Sequence, residues 1–158
     1  MQKPTPFLWF DGNVEEAMEF YVATFPNSKI NHLTRFGEGA HMPAGTVMTA
    51  SFEINGQDFT ALNGGTMYQF TPAISFFVGC DTQAEIDMLW EKLSADGGQP
   101  MQCRWIQDKF GVTWQIVPPI LGQLLGDPNP AKSKSVMMAM LQMVKIDIAA
   151  LQAAHAQG

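Results

Sequence analysis

A pattern that occurs twice narrows what these 158 residues can become. Thr5-Pro6 leads into the apolar run FLWF, then Asp11-Gly12-Asn13, then VEEAMEFYVATF; Thr71-Pro72 leads into an apolar run at residues 73–78, then Asp81, then a helical pattern opening at Thr82. In the first helical segment Val14, Ala17, Met18, Tyr21 and Phe25 make one apolar stripe, and in the second Ile86, Leu89, Trp90 and Leu93 do the same. Strand patterns follow each helix. The spacing therefore predicts two βαβββ modules, an α+β fold in which the second module has the shorter strands.

Asn13, with Glu15 and Glu16 behind it, is the expected N-cap of the first helix, a contribution of about 1 kcal/mol. Residues 28–36 read as a strand and GEGAHMPAG, residues 37–45, as a flexible loop. Residues 46–54 and 57–63 flank Asn55-Gly56, the favoured pair for a two-residue type I′ hairpin. That turn sets a register in which Ile54 faces Gln57, Phe52 faces Phe59, Ala50 faces Ala61 and Met48 faces Asn63. On the other face, Glu53, Ser51 and Thr49 meet Asp58, Thr60 and Leu62. One face is apolar enough to carry a helix, and the other is rich in hydroxyls near its middle.

In the second module residues 99–107 and 112–117 read as strands, with Asp108 and Gly111 at the first and last places of a type I turn between them. Val112, Trp114 and Ile116 form a core face, so Gln115 projects on the opposite face with Thr113. After Pro118-Pro119 comes GDPNPAKSKS, residues 126–135, a breaker-rich linker to a helical tail at residues 136–156. Val136, Met140, Met143 and Val144 make its stripe, and Asp147 caps a second short helix through Leu151. A Met-rich stripe must be buried on the chain's own body or on a second copy, and the second copy is the expected cover, across a linker long enough to reach it. The expected divisions are residues 1–65, 66–125 and 126–158, the last a dimerisation segment.

Nine basic and fifteen acidic residues leave a net charge of −6, which disfavours nucleic acid and anionic lipid as partners and leaves a neutral small molecule or another protein. A chain of this length buries roughly 70% of its unfolded surface, enough to fold without disulfides or a structural metal. Cys80 and Cys103 lie in apolar surroundings without CxxC spacing, so two free thiols in a reducing compartment are expected, and MQKPTPFLWF is too short in its apolar run for a signal or a span. The expected location is the cytoplasm.

The doubled plan, together with TPFLWFDGNVEEAMEFYVATFPNSKI, WIQDKFGVTWQIV and SVMMAMLQMVKIDIAALQAA, resembles the PhnB-like branch of the vicinal oxygen chelate superfamily, the glyoxalase, bleomycin resistance and dioxygenase group. The branch often carries the name 3-demethylubiquinone-9 3-methyltransferase. The resemblance implies a curved mixed sheet around a pocket, usually in a homodimer. Glyoxalases, extradiol dioxygenases and fosfomycin-modifying members use a divalent metal, whereas bleomycin-binding members only sequester a ligand.

The metal-dependent members place His, Glu or Gln on the first and last strands of each module. Here those strands offer Pro4, Pro6 and Phe7, then Thr60 and Leu62, then Pro72, Ala73 and Ile74; only Gln115 falls where those members usually have a Glu. One neutral amide cannot hold a divalent cation against water, so no metal and no cofactor are expected. An atypical site drawing on His41, Glu38 or Gln115 is the alternative, and His32 and His155 stand apart from any paired spacing. Glu53 and Asp58, as cross-strand neighbours, could divide acid and base work but read as solvated hairpin charges; Arg35 and Arg104 could each anchor an anionic substrate but read as side chains that snorkel or pair with surface acids. S-adenosylmethionine is normally held by a glycine-rich turn from strand to helix, whereas GEGAHMPAG leads into a strand, so the methyltransferase name is expected to be inherited. What remains is a set of ligand-contacting candidates, Trp9, Thr49, Ser51, Thr60, Trp105, Trp114 and Gln115, suited to a small, flat, partly apolar molecule.

Overall fold

The computed structural model describes every residue except Gln2 and Cys103. The chain divides into two compact units, Met1–Phe70 and Thr71–Gly158, each with one four-stranded sheet.

The first unit runs β1 (Phe7–Phe10), α1 (Val14–Thr24), β2 (Lys29–Arg35), β3 (Val47–Ile54) and β4 (Gln57–Asn63). The strand order is β1-β4-β3-β2, with β1 parallel to β4 and the other pairs antiparallel. The hairpin register is the expected one from Ile54 opposite Gln57 to Thr49 opposite Leu62. Asn55 and Gly56 both have positive φ, 44° and 81°, as a type I′ turn requires. Leu8, Phe10, Ala50, Phe52, Ile54, Phe59 and Ala61 are buried on the sheet, and Val14, Ala17, Met18, Tyr21 and Phe25 on the helix segment. Tyr21 stacks on Phe52 at 6.4 Å between centroids, and Phe52 on Phe59 at 5.6 Å. The two periodicities read from the sequence thus meet in one core.

The expected cap does not form: Asn13 makes no side-chain cap hydrogen bond. The Val14 N–H instead donates to Asn63 Oδ1 at 3.1 Å, and Asn63 Nδ2 donates to the Val47 carbonyl at 2.8 Å. Asn63 is 1% exposed and sits at the end of β4, so one buried amide ties helix, hairpin and strand together. Burial strengthens such a bond and makes its loss costly, which a local cap in water cannot match.

The second unit runs β5 (Phe76–Gly79), α2 (Gln83–Ser94), β6 (Gln99–Pro100), β7 (Trp105–Gln107), β8 (Thr113–Val117), α3 (Pro119–Leu125), α4 (Pro130–Leu141) and α5 (Ile148–Gln157). Its order, β5-β8-β7-β6, repeats that of the first unit, with β5 parallel to β8. Thr82 and Glu85 form a reciprocal capping box on α2, and the Thr82 N–H holds the Glu85 carboxyl below its ordinary range. The helix packs on β7 and β8, with Ile86, Leu89 and Leu93 buried on one side and Ile106, Trp114 and Ile116 on the other.

Three expectations change here. The strand expected at residues 73–78 is confined to Phe76–Gly79, because Pro72 lacks an N–H and Thr71 turns the chain by accepting from Ala73 N and Ile74 N. The strand expected at 99–107 is two short ones, β6 and β7, paired as a hairpin with Arg104 at φ 68°. The linker expected at 126–135 is short, since Asn129 caps α4 through Ala131 N and Pro130 occupies the first turn, where a missing N–H costs nothing. Helix α3 has no counterpart in the sequence reading.

The tail packs on its own unit. Helices α3, α4 and α5 contact one another, with Leu121, Val136, Met140, Ile146 and Leu151 buried. Val136 and Met140 keep their predicted place, whereas Val144 lies beyond α4 and is 47% exposed. Asp147 caps α5 through Ala150 N at 2.9 Å, and the helix continues to Gln157 rather than stopping at Leu151. Gln83, at the start of α2, donates to the Ile146 carbonyl at 3.0 Å and accepts the Ile148 N–H at 2.9 Å, tying the α4–α5 connection to the module. His155 closes the other end on Asp127 Oδ2 at 2.7 Å. The Asn129 N–H first, and His155 second, lower the Asp127 pKa. The clasp is therefore present above the ordinary carboxylate range and is lost as pH falls through that lowered value.

Cys80 is buried, and desolvation, helped by Glu85 and Asp81, pushes its thiol up to about 11, so it is an inert core group. Cys103, the other expected free thiol, lies outside the described residues. Among the described residues no helix is long and apolar enough to cross a membrane.

Candidate functional site

Each sheet has one face beneath a helix and one away from it. In the first unit the pairings array the second face in rows across the strands: Trp9, Leu62, Thr49 and Thr34, then Phe7, Thr60, Ser51 and His32, then Asp58, Glu53 and Lys29. All four candidates of this unit, Trp9, Thr49, Ser51 and Thr60, stand on that one face. Trp9 is rigidly set, its Nε1 donating to the Gly65 carbonyl at 2.8 Å and its ring meeting Tyr68 edge-on at 5.0 Å. A Cβ on Gly64 would sit 2.3 Å from the Trp9 ring, so any other residue here must displace that ring. Thr49 shares a hydroxyl hydrogen bond with Thr34, while Ser51 and Thr60 face each other across β3 and β4.

In the second unit β8 places Gln115 between Phe77 of β5 and Trp105 of β7. Gln115 is half-buried, and its Nε2 donates to Ser75 Oγ at 2.7 Å. Trp114 points the other way. It is 2% exposed, its Nε1 donates to Asp108 Oδ2 at 2.8 Å, and it packs against Phe76 at 5.3 Å. Trp114 is thus a core residue beneath α2, as the alternation of Val112, Trp114 and Ile116 predicts, and not a ligand contact. The Asp108–Gly111 turn forms as expected, with a carboxylate that sequence reasoning did not weigh: Asp108 Oδ1 accepts from Phe110 N and Val112 N. Phe77, Ser75 and Tyr68 also escaped that reasoning, because each acquires its neighbours through strand pairing or a loop rather than local spacing.

The remaining candidates are exposed or lie apart from these two faces' candidate groups, and the acid expected beside Arg104 is not found among the described residues. His41 is exposed and meets Phe36 edge-on at 4.9 Å, and Glu38 is exposed. Arg35 pairs with Glu15 at 2.7 Å, and this hydrogen-bonded pairing lowers the Glu15 pKa and raises that of Arg35. Glu53 lies 3.4 Å from Lys29. Arg104 has no acidic partner among the described residues, its Nη1 resting on Met140 Sδ at 2.9 Å.

Among the described residues no three of His, Cys, Asp and Glu converge. At the positions where metal-dependent members of the superfamily carry ligands, the faces away from the helices present Phe7, Thr60, Leu62 and Gln115, which are aromatic, aliphatic, hydroxyl and neutral amide groups. That donor set does not fit a divalent cation, which needs anionic or imidazole ligands to replace its water.

Paired βαβββ modules of matching strand order, each with one open face, define a member of the glyoxalase, bleomycin resistance and dioxygenase superfamily. The sequence model of the 3-demethylubiquinone-9 3-methyltransferase family matches residues 2–117, and the chain belongs to that PhnB-like family. A PhnB protein from Bacillus cereus, described by the same family name, is 39% identical, with 74% of this chain and 99% of that chain covered and a TM-score of 0.67. PA1353 from Pseudomonas aeruginosa is 21% identical over 75% of this chain and 98% of its own, with a TM-score of 0.60. The fosfomycin resistance protein FosX from Listeria monocytogenes is 14% identical over 80% and 98%, with a TM-score of 0.58. The last two are likenesses of fold alone. No curated protein matches the chain.

Proposed function

We propose that the protein is a cytoplasmic homodimer that binds a small molecule without a metal ion. The observation that carries this reading is the environment of Gln115: a neutral amide clamped by Ser75, flanked by Phe77 and Trp105, with no acidic or imidazole group on its row. Such a row contacts a ligand through aromatic surface and hydrogen bonds. Trp9, Thr49, Ser51 and Thr60 offer the same chemistry in the first unit. Methyl transfer finds no support, because the glycine-rich segment 37–45 connects β2 to the antiparallel β3 rather than a strand to a helix. Protein purified without a histidine tag is expected to carry substoichiometric metal by elemental analysis. One nickel, zinc, manganese or iron ion per chain overturns the reading.

The dimer is proposed to form through the outer side of α4. With Val136 and Met140 buried within the unit, the helix still exposes Met137, Met138 and Leu141, the last two 54% and 51% exposed. Three such side chains on one short helix exceed the scattered apolar exposure of a monomer surface. Leu141→Asp is expected to shift the protein towards monomer by light scattering while its thermal unfolding as a monomer is unchanged. A Leu141→Asp dimer of unaltered affinity removes α4 from the interface.

A further inference from the structure

We infer that the second unit recognises a flat, uncharged ligand whose edge carries a hydrogen-bond donor beside an acceptor, as a lactam does. The inference rests on the metal-free binding reading and adds the class of ligand.

Phe77, Gln115 and Trp105 are register partners on three adjacent strands. Neighbouring strands stand about 4.8 Å apart, so the two aromatic residues stand about 10 Å apart with the amide between them. Stacked or edge-on rings keep their centroids about 4.5–7 Å apart, which leaves room for one flat ring between two such side chains. Phe77 is 65% exposed, so this side of the row is open to an arriving molecule.

The polar groups set the edge chemistry. Donation of Gln115 Nε2 to Ser75 leaves Oε1 as an acceptor without a partner among the described residues. Thr113 lies two residues earlier on the same face, is 2% exposed, and its Oγ1 is buried with no hydrogen-bond partner. A buried hydroxyl without a partner is rare and costly, and it marks a group waiting for one. Gln107, opposite Thr113, does not supply it, because its Nε2 donates to the Gly111 carbonyl at 3.0 Å. An N–H on the ligand satisfies Gln115 Oε1, and a neighbouring carbonyl accepts from Thr113. A carboxylate would face the amide oxygen, and a cation would find no carboxylate on these rows, so the ligand is neutral.

Isothermal titration of the full chain with 2-quinolinone, quinoline and 2-naphthoate tests this. The lactam is expected to bind about tenfold tighter than quinoline, which lacks the donor, and tighter still than the anion. Gln115→Leu and the near-isosteric Thr113→Val are each expected to reduce that preference to threefold or less, and Thr113→Ser to retain it, roughly the loss of one hydrogen bond in each case. Equal or tighter binding of 2-naphthoate overturns the neutral edge yet leaves small-molecule binding standing. Absence of binding by all three probes, or a preference unmoved by both variants, overturns the inference, whereas the metal content of the same preparation reports separately on the reading beneath it.

Discussion

Asp108→Ala is expected to lower the unfolding free energy by about 3–4 kcal/mol, measured by urea denaturation followed through tryptophan fluorescence. Asp108 is 3% exposed, and its two carboxylate oxygens accept from Phe110 N, Val112 N and Trp114 Nε1 at 2.9, 3.0 and 2.8 Å. Alanine leaves two buried donors and one half-buried donor without an acceptor, and each buried one costs about 1–3 kcal/mol. The damage reaches the site, because the turn launches β8, and β8 carries both Gln115 and Thr113. Asp108→Asn keeps one acceptor and is expected to cost less than half as much. A loss below about 1 kcal/mol for the alanine variant contradicts the role given to this carboxylate.

Removal of residues 126–158 is expected to have a still larger effect, driving the shortened chain into aggregates. Val136, Met140, Ile146 and Leu151 are each no more than 7% exposed, and burial of one such side chain is worth about 1.5–3 kcal/mol. Their combined loss is comparable with the whole stability of an ordinary domain. Gln83 would lose both of its bonds to the tail as well. A shortened chain that remains soluble, with the same oligomeric state by light scattering, shows that the tail neither completes the core nor joins the copies.

Local chemistry made much of this fold legible. Asn55-Gly56 specified the hairpin and its register, because few residue pairs tolerate two successive positive φ angles. The spacing of Ile86, Leu89 and Leu93 marked the buried face of α2, and alternation separated Trp114 from Gln115. The cap of α1 was not legible, since the acceptor comes from Asn63, 49 residues away. Nor was the cover of the tail, because an apolar stripe states that it must be buried without naming the surface that buries it.

The candidate site divides along the same line. Which side chains share a face followed from period-two alternation in the strands. Which of them become neighbours did not: Phe77 reaches Gln115 only through the parallel pairing of β5 with β8, and Ser75 only because the chain turns at Thr71 rather than starting its strand there. Sequence alone settled the first hairpin and its register, the inner faces of α1 and α2 and the neutral character of the would-be metal positions, all properties of residues near one another in the chain. Tertiary structure alone chose the partners of Asn63, Asp108, Gln83 and Gln115, because long-range hydrogen bonds and burial are decided by which surfaces meet, and no local propensity records that.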